Sequence, residues 1–423
     1  MHIVILTYGS RGDVQPYIAL AHGLQAEGYQ VSLAAPENFK SFIEGYQVDF
    51  LPLYGNPHDL LKTKEGKKII QTGSTVEFIK YMHKAVHAIR FPLEDSILEA
   101  CQSADFIIVN NVITFQVACV AEKLKIPFLI LQLNPPIVPT GEFPALDLNI
   151  SWLKSPSFNK LTYEFLNWFA WQVYKKDINE WRQRLGLKKA SQSMIKTFGD
   201  QKIPLIHSYC PHVIERPKDW DPQFHVSGYM YIKHENRLSN SEDLLHEGLK
   251  KWVLNGEKPV YFGFGSIPVP DPQEIVRMVE NLMQQLNMRA IICAGWSDFH
   301  EAHLNEHIRI IKSTNHDELF PLCSCAIVHG GAGTTAAVMR AGIPVIVCSM
   351  IADQPLWGKI IENLGVGTHL PFQKMSEVEL KKHIKMATSE KTKSAAKALG
   401  QKLKVENGVE NAVAIIKKYA REF

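Results

Sequence analysis

Short runs of apolar, often β-branched residues, each followed by an amphipathic stretch, recur along most of the chain, and the series starts twice. In the first half the runs are residues 2–8, 29–35, 48–53, 105–111 and 127–133. In the second they are 259–265, 289–295, 308–312, 325–330 and 345–349. Continuous apolar runs of this length suit strands buried on both faces, as in a parallel sheet. The intervening segments read as helices; residues 14–28, for example, end on Gly28, a C-cap residue. Two strand–helix series in 423 residues predict an α/β protein with two Rossmann-like domains. The expected divisions are an N-terminal domain over 1–204, a proline-rich and polar connector over 205–245, a second domain over 246–395, and a C-terminal helical segment over 396–423 that packs back on the first domain.

Several function classes fall away. A formal net charge of +3 gives no general attraction to nucleic acid. The seven cysteines, among them Cys119, Cys293 and Cys348, sit mostly in apolar runs, as reduced thiols of a cytoplasmic protein do. Cys323 and Cys325 form a C-x-C without a second ligand pair, so no metal site is expected. The chain opens directly on a strand-like run, and no apolar run approaches the ~18–20 residues of a membrane span. Any membrane contact is therefore expected to be peripheral. The Lys-rich segment from Ser376 fits a solvated helix face, or a patch for an anionic membrane.

Four motifs carry chemistry. The first is HGGAGTT, 329–335, between an apolar strand and a helix. Glycine-flanked amides at a helix N-terminus bind a diphosphate through N–H groups and the helix dipole, and glycines let it approach. His329 is placed to donate to a phosphate oxygen. The second is MIADQP, 350–355, in which Asp353 and Gln354 are suited to fork onto two sugar hydroxyls. An Asp353 that only caps the next helix is the plainer alternative. The third is TYGSRGDVQP, 7–16, with Ser10, Arg11 and Gly12 near a phosphate or sugar and Asp13 as a general base. Spacing alone does not separate that role from an N-cap. The fourth is FGFGSIP, 262–268, where Ser266 and its amide can reach the diphosphate.

These segments, with HDELFPLCSCAIVHGGAGTTAAVMRAGIPVIV and DQPLWGKIIENLGVG, resemble the family 1/28 glycosyltransferases, above all sterol 3-β-glucosyltransferases and glycopeptide-antibiotic glycosyltransferases. The resemblance runs over 1–53 and 204–370 and is weak over 54–203. It implies the GT-B fold: two Rossmann-like domains whose parallel sheets face across a cleft, the first binding acceptor and the second a nucleotide-sugar. It implies Asp13 as base, Ser10, Ser266, His329, Gly331, Ala332, Gly333 and Thr334 at the diphosphate, and Asp353 and Gln354 at the sugar. His316, Asp317 and Glu318 match the loop that holds the nucleobase edge, mostly through backbone.

The expected reaction is inverting, metal-independent transfer of a hexose, glucose from UDP-glucose first among them, to a hydroxyl of a sterol, lipid or phenolic acceptor. No cofactor is expected beyond the nucleotide-sugar co-substrate. Aromatics at 152–181, with Trp152, Phe165, Trp168 and Phe169 in front, suit a flat apolar acceptor or the core of packed helices. An epimerase or a non-catalytic nucleotide-sugar-binding protein on the same scaffold is the alternative.

Overall fold

The computed structural model describes residues 1–57, 63–72, 75–134, 138–145, 155–233, 236–237, 245–265, 267, 269, 271–295, 297 and 306–421. Ser266 and Trp152 lie outside the described residues. The chain divides into two compact units, one of residues 1–57, 80–237 and 407–423, the other of 58–79 and 238–406.

The first unit is built on seven parallel strands. They are β1 (His2–Leu6), β2 (Gln30–Pro36), β3 (Asp49–Leu53), β4 (Phe106–Val109), β5 (Phe128–Gln132), β6 (Leu205–His207) and β7 (Phe224–Val226). Their order across the sheet is β3-β2-β1-β4-β5-β6-β7. Ile3 to Leu6 are fully buried, as are Ile107 to Val109, in keeping with a sheet covered on both faces. The order reverses between β1 and β4, which opens a crevice at the carboxyl ends of those strands.

The second unit repeats the plan with β8 (Val260–Gly263), β9 (Ala290–Cys293), β10 (Ile308–Ile311), β11 (Cys325–Val328), β12 (Val345–Val347) and β13 (Gly367–His369). The order is β10-β9-β8-β11-β12-β13, so its reversal lies between β8 and β11. Every pairing in both sheets is parallel.

Two expectations need correction. The segment from 205 is not a bare connector: β6 and β7 extend the first sheet, and the first unit runs on to Arg237. Three-residue strands such as LIH and FHV are too short to show a period, and the prolines around them read as linker. The C-terminal segment also divides later than 396. The helix Glu390–Lys404 stays with the second unit, and the helix Gly408–Ala420 belongs to the first. Gly408 marks the change, since a Cβ there would strike the Tyr229 carbonyl.

Candidate functional site

Each unit carries a polar turn at its sheet's reversal point. In the first, β1 leads through Thr7–Ser10 into the helix Arg11–Ala26. Ser10 is the N-cap and Asp13 the third helical residue, so Asp13 is not itself the cap. The Asp13 Oδ2 accepts from the Ser10 backbone N–H at 2.7 Å and from Ser10 Oγ at 3.0 Å. Both bonds fall on one oxygen, and Oδ1 takes none among the described residues. Burial raises the Asp13 pKa, and the two Ser10 bonds oppose the rise.

Around that carboxylate the chain is braced. Thr7 Oγ1 donates to the Asp13 carbonyl at 2.7 Å. Asn110, at the end of β4 and buried, donates from Nδ2 to Thr7 Oγ1 at 3.1 Å and to the Tyr8 carbonyl at 3.0 Å. The reversal point is thus pinned by side chains from both of its strands. Arg11 turns elsewhere: its guanidinium lies 4.6 Å over the Phe42 ring and its Nε donates to Gln15. Gly12, the second residue of the helix, is exposed.

In the second unit His329 follows directly on β11, and the helix Ala332–Ala341 comes next with Gly331 as N-cap. Its first intrahelical bond runs from the Thr335 N–H to the Gly331 carbonyl at 2.9 Å. The N–H groups of Ala332, Gly333 and Thr334 therefore have no partner within the helix, which is the arrangement an anion requires. Gly330 has φ +92, and Gly265, after β8, has φ +60. The His329 ring fills the space beside Gly265 and Gly331, where a Cβ on either glycine would overlap it. Burial lowers the His329 pKa to about 4, so the ring is neutral, and Nδ1 is buried without a hydrogen-bond partner among the described residues.

After β12 the chain passes through Ala352, a non-glycine residue at φ +58, into the helix Gln354–Leu364. Left-handed alanine costs roughly 1 kcal/mol and marks a loop whose shape is imposed by its surroundings. Gln354 is buried, and its Oε1 accepts from the Met350 and Ile351 N–H groups at 2.8 and 3.2 Å. Asp353 occupies the N-cap position but makes no capping bond; its Oδ2 accepts from Trp357 Nε1 at 2.9 Å.

The His316–Leu319 turn is held by its own side chains. Asn315 accepts from the Asp317 N–H and donates to Glu318, Asp317 pairs with Arg340, and His316 meets the Tyr261 hydroxyl at 3.1 Å and stacks on Phe320. The aromatic stretch divides. Within the helix Pro156–Arg184, Tyr163, Trp171 and Trp181 are buried. Phe165 and Trp168 are 57% and 56% exposed and Phe169 is half-buried.

Among the described residues one group has metal-ligand spacing: His83, His87 and Asp177, with ligand atoms within 4.8 Å of one another. Arg90 already seats a cation there, donating to Asp177 Oδ1 at 2.8 Å with His87 Nδ1 at the same distance. All seven cysteines are free and buried. No described helix is long and apolar enough to cross a membrane.

Sequence reasoning missed Ala352, Trp357, Thr7 and Asn110. A positive φ at alanine leaves no mark in sequence, Asn110 meets Thr7 and Tyr8 only once β1 and β4 pair, and Thr7 and Trp357 stand in the quoted motifs without a role that the motifs announce.

Residues 3–140 match the glycosyltransferase family 28 N-terminal domain, and 287–414 match the erythromycin biosynthesis protein CIII-like C-terminal domain. Two sterol 3-beta-glucosyltransferases of Arabidopsis thaliana are 32% and 31% identical, over 99% and 98% of this chain. The chain spans 66% and 67% of their respective lengths. The solved structure of the glycosyltransferase VinC in complex with dTDP superposes with a TM-score of 0.69 at 14% identity, covering 100% of both chains. The chain therefore has the GT-B fold and belongs to the glycosyltransferase family that includes the sterol 3-beta-glucosyltransferases.

Proposed function

We propose that the chain transfers glucose from UDP-glucose to a hydroxyl of a sterol or similar apolar acceptor, with inversion and without a divalent metal. The observation that carries this reading is the Asp13 carboxylate: braced through Oδ2, unengaged at Oδ1, and set at the reversal point of its sheet. A capping role needs only one oxygen. The second, held in place and unused, is an acceptor for a proton.

The acceptor oxygen attacks the anomeric carbon as the bond from that carbon to the diphosphate oxygen breaks. The hydroxyl proton passes to Asp13 Oδ1 as the new bond forms, since an alcohol is far too weak an acid to ionise first. One in-line displacement inverts the carbon, through an oxocarbenium-like state by analogy with glycoside hydrolysis. Negative charge collects on the departing nucleoside diphosphate. The N–H groups of Ala332, Gly333 and Thr334 are preorganised to receive it, and donors of this kind are each worth about 3 kcal/mol in a water-poor site. His329, being neutral, adds a hydrogen bond rather than a charge. Asp353 and Gln354 hold the sugar, and the His316–Glu318 turn holds the base. Phe165 and Trp168 offer the acceptor an apolar face.

Sterol acceptors are supported by the plant relatives, and VinC was solved with dTDP, so the test includes both nucleotide-sugars. The test incubates the protein with UDP-glucose or dTDP-glucose and a sterol panel, in the presence of EDTA, and reads products by mass spectrometry and anomeric configuration by NMR. A β-glucoside from UDP-glucose is expected, and Asp13→Asn should abolish it while nucleotide binding survives. Undiminished transfer by Asp13→Asn would remove the assigned base. Donor consumed without acceptor, with the sugar epimerised, would favour the alternative enzyme class.

A further inference from the structure

We propose that Trp357 is the residue that aims the Asp353 carboxylate at the donor sugar, and so separates nucleotide-sugar from bare nucleotide. The inference rests on the reading of Asp353 as a sugar contact.

An aspartate at an N-cap ordinarily turns its side chain back onto the N–H of the second or third helical residue, for a gain of about 1 kcal/mol. Here the second helical residue is Pro355, which has no N–H to offer. The capping bond is absent, and the carboxylate points along the helix to Trp357, one turn on. Trp357 is fully buried, and a buried indole needs an acceptor for its N–H. Asp353 Oδ2 is that acceptor, at 2.9 Å. Each group therefore fixes the other. The indole cannot turn without stranding a buried donor, and the half-buried carboxylate cannot swing into a capping geometry without giving up its partner.

The surroundings allow little slack. Ala352 enters the turn at φ +58, and the Gln354 side chain ties down the Met350 and Ile351 amides. Gly358, next to the tryptophan, faces His369, whose Nε2 lies 2.7 Å from Ser349 Oγ. With Oε1 of Gln354 occupied twice, its Nε2 is the amide group left for a ligand. The pair then presents one acceptor and one donor to adjacent hydroxyls, and the indole holds one oxygen of that acceptor.

The test compares UDP with UDP-glucose by titration calorimetry on the full chain. Trp357→Phe removes the N–H and keeps most of the bulk. Benzothienylalanine at 357, which puts sulfur in place of the N–H, keeps nearly all of it and guards against a folding defect. Both should bind UDP within about twofold of the unsubstituted chain while losing about tenfold of the preference for UDP-glucose, the share of one hydrogen bond to a charged group. A merely structural tryptophan would weaken both ligands together or neither. An unchanged ratio of the two affinities in the benzothienylalanine protein overturns the inference. Asp353→Ala separates the two claims. If it leaves UDP-glucose binding intact, the sugar-contact reading fails and this inference falls with it. If it loses the preference while both 357 variants keep it, only the role of Trp357 is refuted.

Discussion

Gly9 and Asp13 share one space: a Cβ on residue 9 would overlap the Asp13 carboxylate, and the backbone at Gly9 has φ +151. The turn after β1 is therefore shaped around the carboxylate four residues later. Glycine is required twice over, by conformation and by contact. Gly9→Ala is expected to destabilise the first unit by about 1–3 kcal/mol and to displace Asp13. Urea unfolding should show the loss, and transfer should fall well beyond what the unfolded fraction accounts for. A stable variant with full activity would mean that the turn is more plastic than its geometry indicates.

Gly333 is the opposite case. It sits at the second position of the helix Ala332–Ala341, and a Cβ there would meet nothing within 4 Å. The fold does not need glycine at this place, and alanine is favoured in helices by up to about 1 kcal/mol. What the absent side chain leaves is room against three N–H groups that the helix itself does not use. Gly333→Ala should unfold at the same or a slightly higher temperature and bind UDP at least tenfold more weakly, a loss of about 1.4 kcal/mol. Calorimetry beside a thermal scan reads both. If affinity survives, the diphosphate does not lie over this turn.

The pH dependence of transfer follows from the two bonds to Asp13 Oδ2. A general base works only when ionised, so kcat/KM should fall on the acid side as the free enzyme's Asp13 takes up a proton. Burial places that limb above the ordinary aspartate value of 3.8. The Ser10 hydroxyl, donating at 3.0 Å, favours the ionised form and holds the shift down. Ser10→Ala removes that donor and keeps the backbone one, so the acid limb should move to higher pH whatever happens to the plateau. Movement to lower pH, or none, would argue that another group titrates.

How far these devices could be read from sequence depends on their range. Ten of the strands were legible because each lies in a continuous apolar run, and the turns after β1 and β11 were legible from their glycines. Asp13 was legible as a choice between two roles. Only the structure shows that Ser10 caps and that Asp13 keeps an oxygen in hand. LIH, FHV and GTH were invisible as strands because no longer apolar run surrounds them, as one does the equally short VIV of β12, and their pairing is set by the sheets they join. The aromatic stretch at 156–184 looked uniform because composition does not say which face is covered. Tyr163, Trp171 and Trp181 face the core while Phe165 and Trp168 do not, and that division depends on how the helix is seated. The Asn110–Thr7 bond spans 103 residues, and no local pattern announces it.

His329 gives the second unit a stability that depends on pH, with a definite sign. Its folded pKa is about 4 against an ordinary 6.5, because burial penalises the charged ring. Above pH 6.5 neither folded nor unfolded chain protonates it, and the full stability is present. As pH falls below 6.5 the unfolded chain takes up a proton that the folded chain refuses, and stability declines until about pH 4, where the folded form protonates as well. At pH 5 the loss is about 2 kcal/mol. His329→Gln lacks the titrating ring. Its own stability at pH 7 will be lower, since the space beside Gly265 and Gly331 is shaped to imidazole. The informative quantity is therefore the change between pH 7 and pH 5, read from urea midpoints of both proteins. The unsubstituted chain should lose about 2 kcal/mol more than His329→Gln over that interval, because other buried groups, His383 among them, titrate alike in both. Equal slopes would mean that the ring finds a partner for its second proton. The neutral imidazole assigned to the phosphate turn would then have to be replaced by a cation.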